Sequence, residues 1–507
     1  MEGVPTGEGL TASERYLARL CRKSFLRFWS WPNLFRDQRA AAKTEGKELC
    51  DLVVVFGRHI FLFSDKYCAY PSTANVKLDW SRWFRRAVWE GAHQIWGAER
   101  WLREHPNRVF CDRACTSLLP IRLPLPSDAV FHRVVVAHGA GDRCRQAFGG
   151  TGSLMINLDI IGKKHFEPFH AVEPFTVGIL DPERGVVHVM DDFTLDAALT
   201  TIDTVSDLAD YFEAKEQLFT SGRRVWAAGE EELLAPYLKD IDASGRHTFA
   251  IPDDVNAVGF QEGAWEDFQR RPERLAQVEA NEVSYAWDRL IDKFTKHILE
   301  GTQEFASEHA PADMEIALRF MAAENRTERR ALSRGLLAAM KRGREHDRFT
   351  RVVLIDTSIP GRNRDRERAA YIFLSLKRPP DRSPEEYRLA RRKFLMAHLM
   401  VLRGQNPAAK HIVGIATGPL PEPGSGEDWY GEDLAYLDGT GWDETLQAEA
   451  EGLGRDLNIL TNVRMHRFTD HEYPRPSNVN YAKGRHRNAL CACGSGKKVK
   501  RCCEPAG

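Results

Sequence analysis

The sequence predicts a mixed α/β (α+β) protein built of several domains, and three observations favour this fold class. The chain has 507 residues, which exceeds the roughly 250–300 residues that one hydrophobic core serves. Two stretches, 11–190 and 352–416, alternate helix-like and strand-like hydrophobic patterns. The segment between them at 264–345 is charge-rich and has a helical pattern. We therefore expect two α/β regions joined by a helical middle.

The first α/β region has a definite order of elements. Residues 11–29 carry apolar side chains at the three-and-four spacing of an amphipathic helix. Apolar runs at 52–56 and 60–63 flank a short Gly-containing turn and predict a β-hairpin. An aromatic and basic helix is predicted at 80–103, and a strand at 133–137 follows it. The predicted order is helix, hairpin, helix, strand.

Composition shifts divide the rest of the chain. A Gly-rich loop is expected at 139–152, and a second helix-and-strand pattern ends near residue 416. Residues 474–487 are rich in Pro, Asn and basic side chains and predict a linker. The expected domain ranges are 1–150, 151–263 with a continuing α+β pattern, 264–473, the linker, and a terminal module at 488–507.

Composition also excludes some classes of function. The formal net charge is −1, so no global basic field indicates nucleic acid, although a local basic face could still bind it. No apolar run reaches the roughly 18 residues of a membrane helix, and the N-terminus lacks the pattern of a signal peptide. We expect a cytoplasmic protein without a membrane partner. In that reducing compartment, clustered cysteines indicate a metal rather than disulfides.

The C-terminal cysteines have the spacing of a zinc site. Two pairs are separated by eight residues that include Gly494-Ser495-Gly496 and four basic side chains. Four thiolates close a tetrahedral zinc site with no position left for substrate, so the metal would be structural. The predicted ligands are Cys491, Cys493, Cys502 and Cys503.

This tail resembles the SEC-C motif, the zinc-binding tail of the preprotein translocase ATPase. The resemblance covers only about 20 of the 507 residues, and Ala492 stands where the family often has Pro. It implies a module that docks to protein, ribosome or nucleic acid. The chain has no G-x-x-x-x-G-K-[ST] phosphate loop, so a motor of the translocase type is not expected. The motif therefore does not indicate the activity of the rest of the chain.

Charged residues cluster at the open end of the predicted hairpin. The first strand begins after Glu48 and Asp51, and the second ends with Ser64, Asp65 and Lys66. Side chains two apart share a face of a strand, so Ser64 and Lys66 point together while Asp65 points away.

The region from Glu14 to Ala137 resembles the PD-(D/E)xK, or restriction-endonuclease-like, nuclease core. The resemblance implies Mg²⁺ held by Asp51 with Glu48 or Asp65, water activation by Lys66, and a further carboxylate from Glu14 on the first helix. Arginines on the following helix could contact phosphates, and these are Arg82, Arg85 and Arg86.

One position departs from the nuclease pattern. Ser64 occupies the acidic position of the (D/E)-x-K motif, so either a neighbouring carboxylate compensates or the site only binds. The alternative is a non-enzymatic adaptor that binds nucleic acid or protein. Each residue also has a structural explanation: Glu14 completes a capping box with Thr11, Asp51 caps a turn, and Asp65 with Lys66 ends an exposed strand. His132 and His138, which flank the predicted strand at 133–137, are interpreted as core or loop histidines.

Overall fold

The computed structural model describes residues 8–37, 45–167, 172–242, 246–300, 310–355, 368–421 and 431–474. The four C-terminal cysteines and nearly all of the predicted linker lie outside these ranges. Up to residue 190 the helices and strands are α1 (Ala12–Phe25), β1 (Ser30–Arg36), β2 (Lys47–Phe56), β3 (His59–Tyr67), α2 (Val76–Phe84), α3 (Glu90–Glu104), β4 (Val130–His138), α4 (Gly141–Phe148), β5 (Met155–Ile161), β6 (Thr176–Ile179) and β7 (Val187–Met190).

The remaining elements are mostly helical. They are α5 (Asp192–Thr201), α6 (Val205–Thr220), β8 (Arg224–Ala227), α7 (Glu230–Lys239), β9 (Ala257–Phe260), α8 (Ala264–Gln269), α9 (Pro272–Asn281), α10 (Tyr285–Leu299), α11 (Ala310–Ala323), α12 (Arg326–Arg342), β10 (Arg348–Val353), β11 (Ala369–Leu376), α13 (Pro384–Gln405), β12 (His411–Thr417), β13 (Glu432–Asp438) and α14 (Glu444–Asp456). The expectation of a mixed α/β protein is confirmed. None of the described helices combines the length and hydropathy that a bilayer-spanning segment needs.

The first sheet has the order β1-β2-β3-β4-β7. Strands β1, β2 and β3 form an antiparallel meander, and β4 and β7 continue the sheet in parallel with β3. The connection from β3 to β4 passes through α2 and α3, as parallel pairing requires. Strand β7 belongs to this sheet although it lies beyond residue 150, where the sequence suggested a boundary.

The two faces of the first sheet are covered by different helices. Phe61 and Phe63 on β3 point towards α1, where their ring centroids lie 4.9 and 6.0 Å from that of Phe25. The alternate residue Ser64 points towards α3, where its hydroxyl binds Gln94. Alternation along β3 therefore assigns every second side chain to the α3 layer.

The beginning of the chain differs from its prediction. Helix α1 begins after the N-cap Thr11 and ends at Phe25, four residues earlier than expected. Pro32, which follows the predicted helix in the sequence, is part of β1. A proline is tolerated there because β1 is the edge strand of the sheet, where a missing N–H need not break a ladder.

Two more expectations in this region are corrected. The helix predicted at 80–103 is instead α2 and α3, joined by five residues of π-helix at Arg85–Trp89. The loop predicted at 139–152 contains the short helix α4, because only Gly139, Gly149, Gly150 and Gly152 have the positive φ that prevents helix formation.

The described residues form two further sheets. One has the order β10-β11-β12-β13, with α13 making the crossover between parallel β11 and β12. The other has the order β6-β5-β8-β9. The largest cluster of buried apolar side chains runs from Leu17 to Ile415 along the sequence, so one continuous core joins the first sheet to the later regions.

Candidate functional site

Asp51 and Lys66 meet at the open end of the β2–β3 hairpin. Lys66 Nζ lies 3.6 Å from Asp51 Oδ2, and the backbone N–H of Asp65 donates to the same oxygen at 2.6 Å. The Asp51 side chain is almost fully buried, whereas Lys66 is 26% exposed. The carboxylate is therefore fixed by the strand, and the ammonium covers it from the solvent side.

Ser64 and Gln94 complete the α3 side of the site. The Ser64 hydroxyl donates to Gln94 Oε1 at 3.0 Å, and Gln94 Nε2 lies 3.3 Å from Asp51 Oδ1. Ser64, Lys66 and Asp51 thus share the face of the sheet that α3 covers. The amide of Gln94 occupies the space beside Ser64 where the nuclease pattern would have a carboxylate.

Glu14 and Glu48 approach from the edge of the sheet through Asn33. The Asn33 amide nitrogen donates to Glu48 Oε1 at 2.8 Å and lies 3.5 Å from Glu14 Oε2. Glu14 also accepts from the Leu10 backbone N–H at 2.7 Å, so it stabilises the start of α1 as well. We call Glu14, Glu48, Asp51 and Lys66 the carboxylate–lysine cluster.

The charges of this cluster act on one another. Burial raises the pKa of Asp51, and Glu14 adds to that rise, while Lys66 and the N–H of Asp65 oppose it. Burial also raises the pKa of Glu48, with Asp51 and Glu14 contributing repulsion. Three carboxylates therefore share a region with one ammonium, an excess of negative charge that a divalent cation would relieve.

Asp65 does not join this cluster through its side chain. Its Oδ1 lies 2.6 Å from Nε2 of His138 on β4, and the other ring nitrogen of His138 binds Asp192 at the start of α5. Asp65 and His138 are buried between the first sheet and α1, whereas Asp192 is exposed at the start of α5. Of the two carboxylates that were expected to compensate for Ser64, Glu48 therefore has the better position.

The three candidate arginines are exposed on the segment that follows β3. Arg82 is on α2, and Arg85 and Arg86 begin the π-helical turn. Burial raises the pKa of the Cys68 thiol, and the nearby charges of Arg86 and Lys66 oppose that rise. Arg86 thus lies on the same side of the site as Lys66, where it adds positive charge near the cluster.

The sequence did not indicate Asn33 or Gln94 as site residues. Asn33 has a φ of 52°, a left-handed conformation that Asn adopts more readily than most residues, and the Pro32-Asn33 pair was the available signal. Gln94 lies four residues after Glu90, one helical turn further along α3, and only its contact with Asp51 distinguishes it from other helix residues.

The donor set of the carboxylate–lysine cluster suits a hard divalent cation. Mg²⁺ takes oxygen ligands at about 2.0–2.1 Å and is usually held by one or two carboxylates together with water and phosphate oxygens. Asp51 and Glu48 would supply the carboxylates, and Glu14 would contribute through a water molecule. The cluster contains no sulfur or imidazole donor that would favour a softer metal.

Comparisons with known proteins found one short similarity. A model described as the SEC-C motif matches residues 487–505, which include all four candidate zinc ligands. Comparison with curated proteins and with solved structures gave no match. The chain therefore carries a SEC-C motif at its C-terminal end, as the cysteine spacing predicted.

Proposed function

We propose that the first α/β region is a metal-dependent nuclease that hydrolyses phosphodiester bonds of DNA or RNA at the carboxylate–lysine cluster. The approach of Lys66 to Asp51 at the open end of the β2–β3 hairpin, with Glu48 near enough for its charge to interact with both, carries this proposal. The order α1-β1-β2-β3-α2-α3-β4 supports it, because Asp51 and Lys66 then come from adjacent strands and share one face.

In this proposal Asp51 and Glu48 would hold Mg²⁺, which would supply positive charge to neutralise the phosphate. Lys66 would orient a water molecule whose oxygen attacks phosphorus, and this water would release one proton to the solvent. The bond from phosphorus to the leaving oxygen breaks, and that oxygen leaves as a hydroxyl after taking up a proton from solvent. Arg82, Arg85 and Arg86 would attract the adjoining phosphates through their positive charges.

A second candidate is a non-enzymatic adaptor, and one observation favours it. The Ser64 hydroxyl and Asp51 are both engaged by Gln94, so the position of the missing carboxylate is filled by a neutral, hydrogen-bonded side chain. Such a site would bind nucleic acid or protein through its exposed arginines without cleavage.

Cleavage assays on the full chain separate the two candidates. Labelled single- and double-stranded DNA and RNA would be incubated with Mg²⁺, with Mn²⁺ or with a chelator. Under the nuclease proposal, Asp51→Asn and Lys66→Met reduce metal-dependent cleavage by at least about a hundredfold, because each removes a group that acts on the reacting atoms. Two exposed residues outside the cluster provide matched controls, Asp142→Asn and Lys239→Met, and these keep full activity.

Each outcome supports or excludes one of the two candidate functions, nuclease or adaptor. Cleavage that persists unchanged in Asp51→Asn and Lys66→Met excludes this cluster as the active site. Nucleic-acid binding without cleavage supports the adaptor if Arg86→Ala weakens it evenly across sequences and lowers its salt dependence by about one phosphate contact.

We also propose that the SEC-C motif binds one structural zinc ion through its four cysteines and serves as a docking module for a protein, ribosome or nucleic-acid partner. The segment has little apolar content, so its folding would depend on the metal. Replacement of Cys502 by Ser is expected to lower the charge-transfer absorption of the cobalt-substituted site, because it leaves three thiolate ligands instead of four. Unchanged absorption would contradict this ligand assignment.

A further inference from the structure

Three histidines lie in a row across the first sheet, at the end opposite the carboxylate–lysine cluster. His59 begins β3, His132 lies near the start of β4, and His188 lies in β7. The pairings of Phe61 with His132 and of Val134 with His188 place all three on the face that α6 covers. We call these residues the histidine row.

Helix α6 brings a carboxylate to this row. Glu216 Oε1 lies 3.0 Å from Nε2 of His188 and 3.6 Å from Nδ1 of His132. The three ligand atoms all lie within 4.8 Å of one another. In a tetrahedral zinc site with bonds of about 2.0–2.1 Å, neighbouring ligand atoms are about 3.3 Å apart, so the two measured distances fall on either side of the required value.

His132 supplies a second and independent indication. Its side chain is completely buried, and in the part of the chain that the structure describes no partner lies within hydrogen-bond distance of Nδ1, the atom nearest Glu216. A buried polar nitrogen without a partner costs about 1–3 kcal/mol, and a metal ion between it and Glu216 would satisfy it. The same ion would bind Nε2 of His188, whose ring is equally buried.

The contacts behind His132 fit the role of a metal ligand. Its other nitrogen, Nε2, lies 3.0 Å from Nδ1 of His59, and His59 Nδ1 lies 3.8 Å from Glu213 on α6. Histidine ligands of metals commonly bind an orienting group through the second ring nitrogen.

We propose that His132, His188 and Glu216 form a zinc site that joins α6 to the first sheet, with His59 and Glu213 orienting His132. Two imidazoles and one carboxylate leave the fourth position for water. Glu216 is 26% exposed, so the ion enters from its side. The site is separate from the proposed nuclease site, because His132 and His188 lie near the starts of β4 and β7, whereas Lys66 lies at the opposite end of the sheet, where β3 ends.

The test uses the full chain without the zinc ligands of its tail, so that only zinc bound elsewhere is measured. A variant with all four motif cysteines changed to Ser would be stripped with a chelator and titrated with Zn²⁺. We expect one equivalent to bind, and Co²⁺ in its place to give visible absorption without thiolate charge transfer. Adding Glu216→Gln should abolish this equivalent, and adding Glu213→Gln should weaken binding by about 10–100-fold.

Controls make the result decisive even if a variant is less stable. Glu216 is partly exposed and Gln has the same shape, so circular dichroism should show an intact fold. The exposed histidine of α3 gives a matched control, His93→Gln, which should keep the equivalent. The proposal is overturned if the cysteine-free chain binds no zinc, or if Glu216→Gln binds it as tightly as its parent.

Discussion

Asp65 and Lys66 are neighbours in the chain, but their side chains lie on opposite faces of β3. Lys66 is directed towards the α3 layer, where its ammonium lies 3.6 Å from Asp51. Asp65 is directed towards α1, where its carboxylate lies 2.6 Å from the ring of His138. The end of β3 thus carries two charged groups, and the one on the α3 side contains Asp51 and Lys66 of the proposed nuclease site.

The His138 contacts predict that stability decreases at alkaline pH. Burial alone would lower the pKa of His138, but its bonds to Asp192 and Asp65 outweigh that effect and raise the pKa to about 9. In the unfolded chain the value is about 6.5. The protonated ring therefore stabilises the fold fully below about pH 6.5, and this contribution, on the order of 3 kcal/mol, is lost as the pH rises to about 9.

Urea unfolding between about pH 6 and about pH 9 measures this contribution. The free energy of unfolding should fall over this range in the parent chain and much less in His138→Gln. Replacement of His93, which is exposed on α3, should leave the parent slope unchanged. If the free energy of unfolding falls as steeply with pH in His138→Gln as in the parent, the His138 contacts do not cause the loss of stability at alkaline pH.

Restoring the missing carboxylate predicts tighter metal binding. Ser64→Asp places an acid beside Asp51 in the space that Gln94 now contacts. Without metal the added buried charge should destabilise the protein by about 1–3 kcal/mol, because it repels Asp51. With Mg²⁺ the extra oxygen ligand should increase affinity by about tenfold or more.

Thermal unfolding with increasing Mg²⁺ detects this change, because a ligand that binds only the folded state raises the midpoint. Ser64→Ala is the control, since it removes the hydrogen bond to Gln94 without supplying a ligand. If Ser64→Asp shows no greater Mg²⁺ stabilisation than Ser64→Ala, Ser64 does not occupy a metal-ligand position.

A buried charge network predicts where the middle of the protein is most sensitive. Asp288 on α10 lies 2.7 Å from Arg326 Nη1 and 2.8 Å from Arg329 Nη1, both on α12. Asp288→Ala would leave one buried guanidinium without its carboxylate and the other with only Asp203. We expect a loss of about 3–5 kcal/mol, measured by chemical denaturation.

The exposed pair of Glu266 and Arg270 on and just after α8 is the matched comparison. Removing its carboxylate in Glu266→Ala should cost less than about 1 kcal/mol, because solvent screens the interaction. Similar losses in Asp288→Ala and Glu266→Ala would mean that burial does not set the strength of the α10–α12 network.

The sequence was sufficient to predict the parts of the site that lie close together in the chain. Hydrophobic alternation located the β2–β3 hairpin, and the hairpin alone brings Asp51 to Lys66. The period of two also predicted that Asp65 points away from Lys66, which is confirmed by the bond to His138. Strand β11 lies in the second stretch with a strand-like pattern, and seven of its eight residues are apolar or aromatic.

The contacts that the sequence did not reveal join distant segments. The role of Asn33 depends on its left-handed backbone conformation in the edge strand β1. The sequence Pro32-Asn33 occurs in loops as well as in such strands, so it does not predict this conformation. The histidine row collects His59, His132 and His188 from three strands, and the position of β7 beside β4 follows from packing rather than from any local pattern. The sequence alone therefore indicates no more for His132 than a core or loop histidine.

Asn33 provides the last prediction, because it links two carboxylates of the cluster without carrying charge. Its amide donates to Glu48 and lies close to Glu14, and its φ of 52° is one that Gly adopts without strain. Asn33→Gly should therefore keep the backbone while releasing both carboxylates. Loss of the amide also removes a bond that lowers the pKa of Glu48, which burial already raises.

We expect Mg²⁺ affinity in Asn33→Gly to fall by about 10–100-fold, as it does when groups that orient metal ligands are removed. The loss should be larger below neutral pH, where the raised pKa of Glu48 leaves more of that carboxylate protonated. Calorimetric titration measures the affinity, and Asn458→Gly is the control because Asn458 has nearly the same φ, 51°, and is exposed outside the cluster. Equal affinities in the two variants would mean that Asn33 orients neither carboxylate for metal, since both substitutions make the same change to the backbone.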